Sequence, residues 1–81
     1  MSDPKKVLII DDDPAICDSV KAVLEAVGFQ TEVAYSGKDG VAAFRRSRPD
    51  VVLCDMTMED LDAGAQAAKI MRKERPDVPI F

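Results

Sequence analysis

Three consecutive aspartates, Asp11-Asp12-Asp13, close the apolar run Val7-Leu8-Ile9-Ile10, and another, Asp55, closes a second run, Val51-Val52-Leu53-Cys54. Carboxylates gathered in one place repel one another and raise their own proton affinities unless a cation lies among them. A hard divalent ion meets that need: Mg²⁺ takes octahedral oxygen ligation and keeps several waters, which leaves room for phosphate oxygens. A carboxylate beside such an ion is placed to attack phosphorus while the metal neutralises charge on the transferring group. The chemistry on offer is phosphoryl transfer through an aspartate. Histidine is absent, which excludes a phosphohistidine carrier, Ser/His/Asp catalysis and the usual zinc sites. Cys17 and Cys54 show no CxxC spacing and read as small buried hydrophobes rather than a disulfide or a reactive pair.

For Asp11, Asp12 and Asp55 to meet, the intervening chain must fold back between them. Val7–Ile10 is short, apolar and rich in β-branched residues, as suits a strand buried on both faces. Asp13 followed by Pro14 reads as an N-cap and first helical position, and Ile16, Val20, Val23, Leu24 and Val27 recur at helical spacing until Gly28, which predicts a helix over about 14–27. Phe29–Ala34 is a more polar strand, and Ser36 with Asp39 resembles a capping box for a helix presenting Val41 and Phe44 inward. Arg45, Arg46 and Arg48 suit the end of that helix before Pro49 stops it. The third strand is Val51–Cys54. A loop through 56–62, in which Asp60 and Asp62 read as loop and helix-start residues, leads to a helix over about 63–74 with Ala67, Ile70 and Met71 on one face. Pro76 marks its exit, and Val78-Pro79-Ile80-Phe81 begins a fourth strand.

Strands alternating with helices imply an α/β fold with a parallel sheet and right-handed crossovers, and such sheets bind ligands beyond the carboxyl ends of their strands. The first and third strands then flank one crevice. The chain has 81 residues, room for one small domain, and its 47% hydrophobic and 32% charged content is that of a globular protein. A formal charge of −4, with 11 basic residues scattered among 15 acidic ones, argues against direct nucleic-acid binding by this segment. The apolar runs are too short to span a bilayer and the N-terminus lacks a secretory apolar core, so a cytoplasmic location is expected.

The segments VLIIDDDP and PDVVLCDMTMEDLD resemble, in order and separation, the acidic-pair and phosphoacceptor segments of bacterial response-regulator receiver domains, and the resemblance runs through the whole chain. It implies a flavodoxin-like (CheY-like) doubly wound parallel sheet of strand order 2-1-3-4-5, here β1-α1-β2-α2-β3-α3-β4 of a (βα)₅ unit. Position by position, Asp11 and Asp12 match the metal-binding pair, with Asp12 the more direct ligand. Asp55 matches the phosphoacceptor, and Thr57 matches the residue whose backbone carbonyl also ligates the metal. The implied cofactor is Mg²⁺. The implied partners are a histidine kinase or a histidine phosphotransfer protein, together with an output domain or downstream protein, and the implied role is a signalling module rather than an enzyme, switching between two states on phosphorylation.

Two features depart from the family pattern. Glu59 and Ala63 stand where proline and glycine are usual, with Gly64 one position late. The family's switch hydroxyl and its lysine would lie past Phe81, and Lys38, the one lysine near the correct rim, is no substitute. The chain is therefore expected to be the N-terminal part of a receiver, with the fourth strand's edge open to self-association. Two other readings compete. Asp11-Asp12-Asp13 also fits the DxD of haloacid-dehalogenase-type phosphatases, with Asp11 as nucleophile and Asp13 as acid/base, which leaves Asp55 without a role. The other is a receiver-like interaction module that is never phosphorylated.

Overall fold

In the computed structural model the described residues are 5–55 and 63–81, with the side chain of Ala63 left aside. Strand β1 (Lys6–Ile10) holds the centre, because Val7, Leu8, Ile9 and Ile10 are each at most 3% exposed and so must be covered on both faces. β2 (Gln30–Ala34) pairs with it in parallel from Lys6↔Gln30 to Ile10↔Ala34. β3 (Val51–Cys54) pairs in parallel on the other side, from Val7↔Val51 to Ile10↔Cys54. The sheet order is β2-β1-β3. Past it, residues 79–81 run alongside β3 through a parallel Val52↔Ile80 bridge, with Phe81 N–H donating to Val52 O at 2.9 Å and Cys54 N–H to Phe81 O at 2.7 Å. Of the fourth strand expected from Val78, this bridge at Ile80 is what forms, and Val78 itself lies in a bend.

Three helices connect the strands. α1 (Pro14–Ala26) is capped by Asp13, whose side chain accepts from Ala15 N–H at 3.0 Å, and its exit is turned by Gly28 at φ +100. α2 (Gly37–Ser47) is capped by Ser36, whose hydroxyl accepts from Asp39 N–H at 3.0 Å. Each such cap stabilises its helix by about 1 kcal/mol. α3 (Ala63–Glu74) follows β3. α2 and α3 cover one face of the sheet, enclosing Leu8, Ile10, Phe44, Val52, Ala67 and Met71. Burying each of these side chains except Ala67 contributes roughly 1.5–3 kcal/mol.

Among the described residues only α1 covers the other face. Val7, Ile9 and Cys17 form the buried part of that side, with Val20, Leu24, Val33, Val51 and Leu53 packed around them. Ile16, Val23 and Val27, which belong to the apolar pattern at helical spacing, are 49%, 65% and 67% exposed. One helix cannot span the width of the sheet, so part of its apolar stripe, like the rims of β3, meets solvent. Ile70 of α3 is likewise exposed, while Ala68, not singled out from the pattern, is 1% exposed.

The α2 arginines also do more than suit a helix end. Arg45 forms an ion pair with Glu74 at 2.5 Å, tying α2 to α3, and Arg46 pairs with Glu32 of β2. Arg48 is the helix C-cap and takes the left-handed conformation at φ 50 and ψ 63. The Arg75 guanidinium lies 5.6 Å from the centre of the Phe44 ring.

Candidate functional site

At Ile10 the chain leaves the core, and the next residue is half-buried Asp11, followed by exposed Asp12 and Asp13. The turn that brings them out is fixed by local hydrogen bonds. Asp11 N–H donates to Ala34 O at 3.1 Å, continuing the β1–β2 ladder by one residue. The Asp11 carboxylate accepts from Asp13 N–H at 2.9 Å, and the Asp11 carbonyl accepts from the Cys17 thiol at 3.4 Å. On the other side, Asp55 N–H donates to Ile10 O at 2.8 Å, which sets the end of β3 level with the end of β1.

Asp11, Asp12 and Asp55 therefore converge: each offers a carboxylate oxygen, and these oxygens all lie within 4.8 Å of one another. The distance is that expected of oxygens sharing one ion, because ligand atoms about 2.0–2.6 Å from a common centre are themselves about 3–5 Å apart. Beside the cluster lies an open hollow of about 270 Å³, lined by Asp11 and Asp55 and by apolar Ile16, Val20, Leu53 and Phe81. The group is hard, anionic and all oxygen. It fits Mg²⁺ or Ca²⁺ and not a soft metal.

Asp13 lies outside this group and spends a carboxylate oxygen on the α1 cap. The DxD reading, which needs Asp13 free as an acid/base, loses its second residue. Thr57, Glu59, Asp60 and Asp62 fall outside the described residues, as does the side chain of Ala63. Lys38 lines the groove between α2 and α3 and not the acidic hollow. Lys6 is at the far end of the sheet, its ammonium on the Ser47 carbonyl at 3.2 Å.

Both thiols are structural. Burial pushes the Cys17 thiol above its ordinary value, and the charges of Asp11, Asp18, Asp13 and Asp12 push it further. Burial likewise raises Cys54, with Asp55 adding to the effect and Arg72 opposing it. Reading the cysteines as inert apolar residues thus holds, but it missed the Cys17 contact with Asp11. The signal was faint: a polarisable donor one turn inside the α1 cap.

Comparison with known proteins matches residues 7–81 to the response regulator receiver domain family. The chain belongs to that family. A probable transcriptional regulatory protein, TcrX of Mycobacterium tuberculosis, is 35% identical over 78 residues, which are 96% of this chain and 33% of that protein. The transcriptional regulatory protein ZraR of Salmonella typhimurium is 36% identical over 75 residues, 93% of this chain and 17% of that protein. This receiver chain thus spans a third or less of the length of these relatives. A CheY-like receiver domain of Methanospirillum hungatei superposes with TM-score 0.89 at 32% identity, over 95% of this chain and 61% of that one. The response regulator TrrA of Thermotoga maritima, solved with Mg²⁺-BeF, gives TM-score 0.86 at 29% identity, over 94% and 65%. The fold is thus the CheY-like one, and the domain is a receiver of two-component signalling.

Proposed function

We propose that this receiver takes a phosphoryl group on Asp55. The observation that carries the reading is the convergence of Asp11, Asp12 and Asp55 within 4.8 Å at the carboxyl ends of two adjacent parallel strands. The donor set is right for Mg²⁺: Asp11, Asp12, Asp55 and the Thr57 carbonyl would hold it, and when bound it neutralises charge on the transferring oxygens. An Asp55 oxygen attacks phosphorus of a phosphohistidine on a partner histidine kinase or phosphotransfer protein. A P–O bond forms as the P–N bond breaks, and the imidazole keeps the electron pair and takes a proton. Asp11 is held by the Cys17 thiol, Asp13 N–H and Ala34 O, so it needs little rearrangement to serve.

The remaining assignments belong to the same reading. Residues 1–81 form the first part of a receiver that continues beyond them, as the 61% share of the Methanospirillum receiver supports. The longer protein carries an output domain, as relatives with names of transcriptional regulators support. The module accepts phosphate and is not a turnover enzyme. It works in the cytoplasm. No helix among the described residues is long and apolar enough to cross a membrane.

The test is incubation with a small phosphodonor and Mg²⁺, read by intact mass, for the chain, for a longer protein containing it, and for Asp55→Asn in both. The expected result is one phosphoryl group added to the longer protein and none to its Asn variant. Label that persists in the Asn variant, or no label on the longer protein, removes Asp55 from the role.

A further inference from the structure

The peptide unit joining Ile10 to Asp11 braces the whole acidic cluster. Its carbonyl accepts from Asp55 N–H at 2.8 Å, and its N–H donates to Ala34 O at 3.1 Å, so one rigid plane links all three strands at the level where the carboxylates emerge. Its position is set from the α2 side by the Ile10 side chain, which is fully buried. That side chain is seated against Gly40, at the first turns of α2. A Cβ built on Gly40 would lie 2.5 Å from Ile10 Cδ1, 2.8 Å from Cγ1 and 3.1 Å from Cγ2. Swinging Cδ1 aside relieves only the first of these, because Cγ1 and Cγ2 are fixed to a β-branched carbon with few rotamers. Ile10 as a whole must then move.

Gly40 has no conformational reason to be glycine: it lies inside a helix, where glycine costs stability relative to alanine. What the missing Cβ provides is space for Ile10. On the opposite face the Cys17 thiol holds the carbonyl of the next peptide unit, that of Asp11, at 3.4 Å, so the chain is also held just where it leaves the brace.

We infer that Gly40 is a positioning residue for the metal site, setting through Ile10 the spacing between Asp11 and Asp55 and hence which cation the site prefers. The inference rests on the proposed Mg²⁺ site. Mg²⁺ demands near-ideal octahedral geometry at about 2.0–2.1 Å, whereas Ca²⁺ tolerates irregular shells at about 2.3–2.6 Å. Displacing the Ile10–Asp11 unit by a few tenths of an ångström therefore penalises Mg²⁺ more than Ca²⁺.

The experiment measures Mg²⁺ and Ca²⁺ dissociation constants by calorimetry, well below the melting temperature, for the wild-type chain, Gly40→Ala, Ile10→Val, and Gly40→Ala with Ile10→Val. Val78→Ala serves as a core control remote from the cluster. The expected result is a Mg²⁺ affinity about tenfold weaker in Gly40→Ala, the scale of effect seen when supports of metal ligands are altered, with Ca²⁺ changed less. The double variant, which removes Cδ1 and with it the shortest of the three contacts, recovers part of the loss, and Val78→Ala leaves the Mg²⁺/Ca²⁺ ratio as it was. An unchanged ratio in Gly40→Ala, or no recovery in the double variant, overturns the inference while leaving the metal site standing. Absence of Mg²⁺ binding by the wild-type chain overturns the metal site and the inference with it. If Gly40→Ala does not fold alone, the ratio is read from Gly40→Ala with Ile10→Val against Ile10→Val alone, where a lower Mg²⁺/Ca²⁺ ratio supports the inference and an unchanged one overturns it.

Discussion

Replacing Asp12 with asparagine keeps the side chain's size and removes one charge from the cluster. Asp12 is exposed, and the Asx geometry of the turn belongs to Asp11 and Asp13. With carboxylate oxygens within 4.8 Å of one another, each like-charge pair repels by about 0.9 kcal/mol at the dielectric of water. Removing Asp12 relieves two pairs, and salt screening brings the gain to about 1 kcal/mol in the absence of divalent cations. Adding Mg²⁺ reverses the balance. A ligand at about ten times its dissociation constant stabilises the folded state by RT ln 11, about 1.4 kcal/mol, and if the variant binds about tenfold more weakly it gains only about 0.4 kcal/mol. In a domain of this size about 1 kcal/mol shifts Tm by roughly 4–8 °C. In EDTA, Asp12→Asn is expected to melt several degrees above wild type. Mg²⁺ raises wild type by roughly 6–11 °C and the variant by about 2–3 °C, so the two melting curves nearly converge. The assay is calorimetric melting at fixed ionic strength with EDTA or Mg²⁺. A variant that melts lower in EDTA, or that keeps the full Mg²⁺ shift, refutes the view that Asp12 is a repelled carboxylate awaiting a cation.

Arg48→Gly is expected to stabilise the chain by about 0.5–1 kcal/mol in urea titration, because Arg48 holds φ 50 with no side-chain partner among the described residues; a loss of stability would show that its charge outweighs the strain. Glu32 is held below the ordinary carboxylate value of 4.5 chiefly by a Ser47 hydrogen bond, with Arg46 assisting. A lowered folded-state pKa means stability that is present above the unfolded value and lost as pH falls through the folded one. Urea midpoints are therefore expected to drop below about pH 4.5, less steeply in Glu32→Gln; equal slopes would count against it. Ile16→Lys, placed in the apolar hollow that also holds Phe81, is expected to suppress concentration-dependent association in sedimentation velocity. A wild-type chain that stays monomeric up to millimolar concentration would remove any adhesive role for that face.

How much of this was legible beforehand follows from what each residue has to satisfy. Strands β1 and β3 were readable because both faces are apolar and both end abruptly in aspartate. The α1 and α2 caps were readable because Asp13-Pro14 and Ser36 are strong local signals, and local hydrogen bonds realise both. The convergence of Asp11, Asp12 and Asp55 needed only the crossover rule and the fact that parallel strands end at one side of the sheet. The α1 stripe was read as a helical pattern, and the pattern holds, but it leaves burial open. Helical spacing says which residues share a face, but how much of that face is covered depends on the sheet's width and on the other elements available to pack there. The pairs Arg45–Glu74 and Arg46–Glu32 were invisible for a related reason: they join residues 29 and 14 positions apart, and nothing local distinguishes them from solvated charges.

The Ile10–Gly40 contact lies at the far end of that scale. A glycine inside a helical pattern looks like a defect, and an isoleucine at a strand end looks like generic core. Only the approach of α2 to β1 makes the two a single fitted volume. The carboxylates of a metal site can be read from residue type and topology because almost any well-formed parallel sheet will bring them near one another. Their separation to a few tenths of an ångström cannot, because it is set by side chains that carry no charge and touch no ligand. Chemistry of the cluster and accuracy of the cluster therefore reside in different residues, and the second set comes into view only once the packing is known.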